Sequence, residues 1–279
     1  MRIIVTGSSR GIGRALTGRL LARGHQVWGL ARSDQSDFAA RHPGAFFATP
    51  CDVSDYAQVA AAARAIGAEW PGIDGLVTCA GQHGGVGRTT ALDPRQWGIA
   101  GRVNLDGTFH AIHAFYPALC RAPRRAKIVC FSGGGSTKSR PHFSSYGAAK
   151  SGVVRLVETI AEEERATALD INVIAPGAMN TAMLEEIRTL GPAIAGDADY
   201  QAALKLKNQD PAVLERTLDC LEWMLSPACD GISGRLISAP WDPWKTLATH
   251  REELARSDIY TLRRIVPEDR GTTWADGPR

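Results

Sequence analysis

The 279-residue sequence predicts an α/β fold, a parallel sheet wound doubly with helices on both faces. Two observations predict it. Seven short runs are almost continuously apolar, the pattern of strands covered on both faces. Segments long enough to carry a crossover helix separate them, and that alternation leads to a parallel sheet. The length suits one large domain with a sizeable core.

In order, the strand runs are "RIIV", "QVWGLA", "AFFATPCDV", "GLVTCAG", "KIVCFS", "INVIAPG" and "GRLISA". The helix after the first strand carries Ile12, Leu16 and Leu20 on one stripe, with Gly24 just past its end as a stop. Two regions break this rhythm. From about residue 183 to 210 the pattern loosens around "GPAIAGDADY". An irregular segment beside the strand ends of such a sheet reads as a lid over a ligand. The second region, 240–279, extends a domain spanning 1–239. It begins with prolines and holds three of the seven tryptophans, too short for a domain and too aromatic for plain disorder. It is expected to pack on the body or on a neighbouring subunit.

Composition narrows the function classes. With 44% hydrophobic and 22% charged residues, the chain is an ordinary globular one. The net charge is +3, and no like-charge run is built to follow a nucleic acid backbone; "RAPRR" at Arg121–Arg125 reads as a solvated helix end. No apolar stretch reaches membrane-spanning length. "MRIIVTGSS" enters the first strand with no signal-peptide pattern. The six cysteines form no C-x-x-C pair, which argues against zinc, and no carboxylates cluster around His83 and His142; no metal is expected. Several cysteines fall in strand runs, as free thiols of a reducing compartment do, so a cytoplasmic location is expected.

Three stretches carry chemistry. "TGSSRGIG", Thr6 to Gly13, lies between the first strand and first helix. A glycine turn there lets main chain approach a pyrophosphate, which the N–H groups and dipole of the helix N-terminus favour. Its spacing is G-x-x-x-G-x-G. "YGAAK" sets Tyr146 and Lys150 one helical turn apart. A phenol with a pKa of about 10 is a poor proton carrier at neutral pH, and a neighbouring ammonium is expected to make it more acidic. The third stretch is the serine- and glycine-rich "FSGGGSTKSRPHFSS" that leads into this pair.

"TGSSRGIG", "CDV", "CAG", "VNLDGTF", "YGAAK" and "APGAMNT" occur in that order. Together they resemble the short-chain dehydrogenase/reductase family over roughly residues 1–239. The resemblance implies a Rossmann-type sheet and a nicotinamide cofactor. It also implies hydride transfer between a carbonyl and an alcohol of a small-molecule substrate, and a homodimer or homotetramer. Carried onto this sequence, Gly7, Gly11 and Gly13 line the cofactor phosphates, with Ser9, Arg10 and Ile12 between them. Asp52 and Val53 sit by the adenine, and Cys79, Ala80 and Gly81 near the ribose. Thr181, after Pro176 and Gly177, meets the nicotinamide carboxamide. Tyr146 is the proton-transfer residue, Lys150 also bonds the ribose, and Asn104 holds a water linking Lys150 to solvent. Asp52 and Thr181 are equally suited to cap the helices that follow them.

At the end of the second strand an acidic residue would select NAD, whereas a cation meets the 2′-phosphate of NADP. "VWGLARS" puts Arg32 there, and the resemblance places Arg10 on the same side. Two guanidinium groups make NADP(H) the expected cofactor. Asp34 keeps NAD as the alternative. The serine departs from the family pattern. Its usual place, thirteen residues before the tyrosine, is Gly133. Ser132 as the catalytic group, Ser136 or the Gly133–Gly135 N–H groups in its stead, and loss of the role are the three accounts; Ser132 is preferred. Around the substrate, His83, Arg88, Lys138, Arg140 and His142 point to a polar molecule such as a sugar derivative or hydroxy acid, unless they are solvated loop residues. The tail tryptophans would supply a wall. The leading expectation is thus an NADPH-dependent carbonyl reductase or the reverse alcohol dehydrogenase, ahead of a dehydratase or epimerase. The competing class is a dinucleotide-binding protein without catalysis.

Overall fold

All seven apolar runs become strands of one parallel sheet in the computed structural model, which describes residues 1–272. They are β1 (Arg2–Thr6), β2 (Gln26–Ala31), β3 (Phe46–Pro50), β4 (Gly75–Thr78), β5 (Ala126–Phe131), β6 (Leu169–Ala175) and β7 (Leu236–Ser238). The spatial order is β3-β2-β1-β4-β5-β6-β7. Alternate residues of a strand serve opposite faces. Ile3 and Val5 enter one core with Leu16, Leu20 and Leu221, while Ile4 joins the other with Val59, Phe115 and Val153. That two-sided burial is why the strand runs lack an apolar/polar alternation.

Helices α1 (Gly11–Ala22), α2 (Ser36–Arg41) and α10 (Ala212–Leu225) feed the first core; α3 (Tyr56–Glu69), α5 (Gly107–Leu119) and α6 (Ser144–Glu163) feed the second. Between α4 (Pro94–Ala100) and α5 the chain winds as a π-helix over Gly101–Asp106, a device frequent at functional sites. The segment expected to be irregular is helical instead: α7 (Ala182–Leu190), α8 (Pro192–Ala195) and α9 (Asp197–Lys205). Each is too short to show a period in sequence. Their apolar residues Leu184, Ile187, Ala195 and Ala203 gather on Phe143 and Tyr146, forming a third small core.

The extension packs on the body of its own chain. Trp244, Leu247 and Leu254 of the 3₁₀ turn Trp244–His250 and α11 (Arg251–Arg256) are buried in the core that α1 and α10 share. Trp244 lies 5.9 Å from Trp223 and donates from Nε1 to the Ala239 carbonyl at 3.1 Å. Arg235 donates to the carbonyls of Leu254, Ser257 and Ile259. Leu236 N–H donates to Tyr260 at 2.8 Å, so the tail covers part of the outer edge of β7. The expected aromatic wall is not formed by Trp244, which is core, and Trp241 is 84% exposed. Trp274 lies outside the described residues.

Among the described residues no helix is long and apolar enough to cross a membrane.

Candidate active site

The order of strands reverses between β1 and β4, and the crevice beyond their carboxyl ends is where ligands of such sheets bind. Gly7, just after β1, has φ +69°, and a Cβ there would lie 2.7 Å from the Ala80 nitrogen. Only glycine allows the two loops to approach this closely. Ala80 N–H donates to Thr6 Oγ1 at 3.2 Å and closes the contact. Arg10 takes the N-cap position of α1 without a side-chain cap, and no acid stands in the first turn. The first N–H groups of α1 are therefore left for a ligand. Gly7, Ser9, Arg10, Gly11 and Ile12 all line the cleft, while Gly13 packs beneath, against the Gly7 carbonyl.

Arg32 leaves the end of β2 with an exposed side chain, 4.0 Å from Asp52, and lines the cleft with Ser33. Asp34 does not line it. Its two oxygens accept from Ser36 N–H at 3.0 Å and Ser36 Oγ at 2.7 Å. Asp52 does double duty: it lines the cleft with Val53 and accepts from Ser54 N–H and Oγ. Cys79, Ala80 and Gly81 form the wall after β4, and Pro176 and Thr181 the wall after β6, with Gly177 set back against Pro240. Thr181 is the N-cap residue of α7 by backbone, but its side chain makes no capping bond and stays available to the cleft.

At the far end of the cleft stand Ser132, Tyr146 and Lys150. α6 carries the last two on its buried face. Lys150 Nζ donates to the Phe131 carbonyl at 2.9 Å and lies 5.8 Å from the centre of the Tyr146 ring. Burial pushes the phenol up to about 12 and the ammonium down to about 8. The expected acidification of Tyr146 by Lys150 is not met here. The lysine is turned to a strand-end carbonyl, and desolvation of the phenol outweighs the opposing effect of the nearby Arg140 charge. Asn104 is fully buried in the π turn. Its Oδ1 accepts from Gln82 N–H at 3.1 Å and its Nδ2 donates to the Gln82 carbonyl at 2.8 Å, clamping the loop after β4.

The serine loop resolves into a pair. Ser132 Oγ and Ser136 Oγ are 2.6 Å apart, both buried, but Ser132 lines the cleft and Ser136 lies behind it. A Cβ at Gly133, the family's usual serine position, would run into the Tyr146 hydroxyl. The phenol fills the space that a side chain there would need.

A family model for short chain dehydrogenases matches residues 1–190. The chain belongs to this family. A 3-oxoacyl-acyl-carrier-protein reductase of Escherichia coli is 30% identical over 188 residues, 64% of this chain and 74% of that protein. A short chain dehydrogenase of Monascus purpureus is 27% identical over 275 residues, 95% of this chain and 88% of that one. Among solved structures, a short chain dehydrogenase/reductase from Saccharomyces cerevisiae matches with a TM-score of 0.79 at 23% identity, covering 88% of this chain and 98% of its own. Levodione reductase matches at 0.74 and 25%, covering 85% and 95%. As a short chain dehydrogenase, the protein is an oxidoreductase that interconverts carbonyl and alcohol groups with a nicotinamide dinucleotide. The glycine approach, the uncapped start of α1 and the unbroken cleft from Arg32 to Tyr146 fit such a cofactor.

The substrate side of this short chain dehydrogenase differs from the cationic pocket expected. Arg140 is held by Asp199 of α9 at 2.6 and 2.9 Å and lies 3.8 Å over the Phe143 ring. His142 Nδ1 meets the Ile194 carbonyl at 2.8 Å, while Arg88 and Lys138 are exposed. Beside the His83 ring and Lys150, an apolar cluster packs on Tyr146: Phe143, Leu184 and Ile187, with Val86 and Met183 against them. Sequence reasoning passed over Val103 and Ala182 as cleft residues, the Phe131 carbonyl as the partner of Lys150, and the carboxylates Glu186 of α7 and Asp199 of α9. No local motif marks the last three, because each is defined by a partner far away in sequence.

Proposed function

We propose that this short chain dehydrogenase uses NADPH to reduce a ketone with apolar flanks to a secondary alcohol. The observation that carries this reading is the burial of Tyr146 and Lys150 together at one end of a cleft whose other end is rimmed by Arg10 and Arg32. Two cations lining one cleft, Arg32 just past β2 and Arg10 at the start of α1, with Asp34 engaged by Ser36, suit a 2′-phosphate better than a 2′-hydroxyl. The apolar residues that α7, α8 and α9 bring to Tyr146 favour a ketone over the sugar derivative or hydroxy acid that the loop cations suggested. The acyl-carrier reductase and levodione reductase relatives point the same way.

When bound, the nicotinamide supplies the hydride that adds to the carbonyl carbon. Ser132 Oγ holds the carbonyl oxygen. The two hydroxyls share one hydrogen bond in which either can donate, and the arrangement with Ser136 as donor leaves the Ser132 proton for the substrate. The Tyr146 phenol, protonated at neutral pH, hands its proton to the oxygen as charge develops there. Lys150, tied to Phe131, sits behind the ring as the group that resupplies it. Asn104 fixes the loop that closes the wall beside them.

The test is NADPH oxidation at 340 nm against aliphatic ketones, β-ketoesters, ketosugars and keto acids. Turnover of ketones or β-ketoesters, faster with NADPH than with NADH, is expected. NADPH binding with no turnover of any carbonyl would instead make the protein a dinucleotide-binding module.

A further inference from the structure

One polar contact joins the loop after β4 to the lid and also reaches the proposed proton donor. His83 is only 4% exposed. Its Nδ1 lies 2.9 Å from Glu186 Oε2, on α7. Its ring stands edge-on to Tyr146, with centroids 5.2 Å apart at 74°, and to Phe143 at 5.3 Å. A neutral imidazole whose Nδ1 faces a carboxylate carries its proton on that nitrogen, so Glu186 sets both the tautomer and the ring orientation. Two further polar ties, Arg140–Asp199 and His142–Ile194, run to the loop before α6, and others, through Arg188, Lys207 and Gln209, to Ala178 and Asn180 after β6.

We propose that His83 is a positioning residue for Tyr146 and that Glu186 engages it. With α7 docked, the carboxylate holds the imidazole against the edge of the phenol ring, while the Gly133 main chain backs the hydroxyl. When α7 lifts, Glu186 leaves, His83 is free to turn, and Tyr146 loses one wall of its slot. Lid closure and proton-donor alignment are then one event, which keeps the donor out of register until a substrate is enclosed. The proposal rests on Tyr146 being the proton donor.

Glu186 is 44% exposed, so it can be changed without opening the core. Glu186→Ala removes the acceptor; Glu186→Gln keeps an oxygen for Nδ1–H. Fluorine NMR of protein grown with fluorotyrosine, with the Tyr146 resonance assigned from Tyr146→Phe, reports the ring without any substrate. The expected result is a shifted or broadened Tyr146 resonance in Glu186→Ala and a near wild-type one in Glu186→Gln. With the best ketone, kcat falls about tenfold in Glu186→Ala and in His83→Phe, no further in the double variant, with NADPH affinity within about twofold. An unmoved resonance in Glu186→Ala, or losses that multiply in the double variant, overturns the proposal. A moved resonance in a protein that turns over no carbonyl supports the coupling while the proton-donor reading fails.

Discussion

At the end of the cleft proposed for the dinucleotide, main chain makes the closest approach. Gly7 lies against Ala80, the start of α1 is uncapped, and Arg10 and Arg32 stand at the rim. Around the Tyr146 end stand side chains already bonded to one another: Ser132 to Ser136, His83 to Glu186, Arg140 to Asp199. The first construction suits a ligand that is the same in every turnover, since main-chain donors cannot rotate away. The second can rearrange, since each pair can be exchanged for contacts with a substrate. Binding strength should therefore reside in the first half, and rate and selectivity in the second.

The sharpest way to break that division is to strip the rim. Arg10→Ala combined with Arg32→Ala is expected to weaken NADPH binding about a hundredfold and leave NADH binding nearly unchanged. Titration of each coenzyme by protein fluorescence measures both. Equal weakening of the two would mean that the arginines do not read the 2′-phosphate.

A smaller effect tests the serine pair. Ser132→Ala should lower kcat about tenfold or more, while Ser136→Ala, which removes only the partner behind it, should cost about threefold. Steady-state rates with the best ketone decide. If neither variant loses tenfold, no hydroxyl polarises the carbonyl.

The smallest effect is on stability. Lys150 is buried without a carboxylate, and its ammonium titrates at about 8 rather than 10.5. Keeping it charged inside costs ~3 kcal/mol at neutral pH. The Phe131 carbonyl left alone by its removal costs ~1 kcal/mol in return. Lys150→Met should thus melt a few degrees higher below pH 8. The unfolded chain binds more protons at this site between pH 8 and 10.5, so the wild type gains stability across that window and the advantage of the variant shrinks there. Calorimetry at pH 7 and 9.5 checks it; an advantage that grows with pH contradicts the burial of a charged Lys150.

The same contrast explains how much was legible in the sequence. Every apolar run became a strand because burial on both faces writes itself into composition. The glycine turn and Tyr146–Lys150 were legible because their chemistry requires fixed local spacing. Beyond the turn that Thr181 could cap, the helices of 183–210 left no signal because α7, α8 and α9 are each short and bury few residues. The pairing of Arg140 with Asp199 crosses 59 positions and that of His83 with Glu186 crosses 103, so no window of sequence contains both partners. The tail was expected to pack, yet its placement against Trp223 depends on the face to which β7 delivers it.

The measurement that bears most directly on the account is Tyr146→Phe, which removes one oxygen from the junction of the two halves. With NADPH affinity held within about threefold of wild type, ketone turnover should fall about a thousandfold or more. Turnover retained to within about tenfold would show that the proton comes from another group, and the assignment of Tyr146 would be wrong.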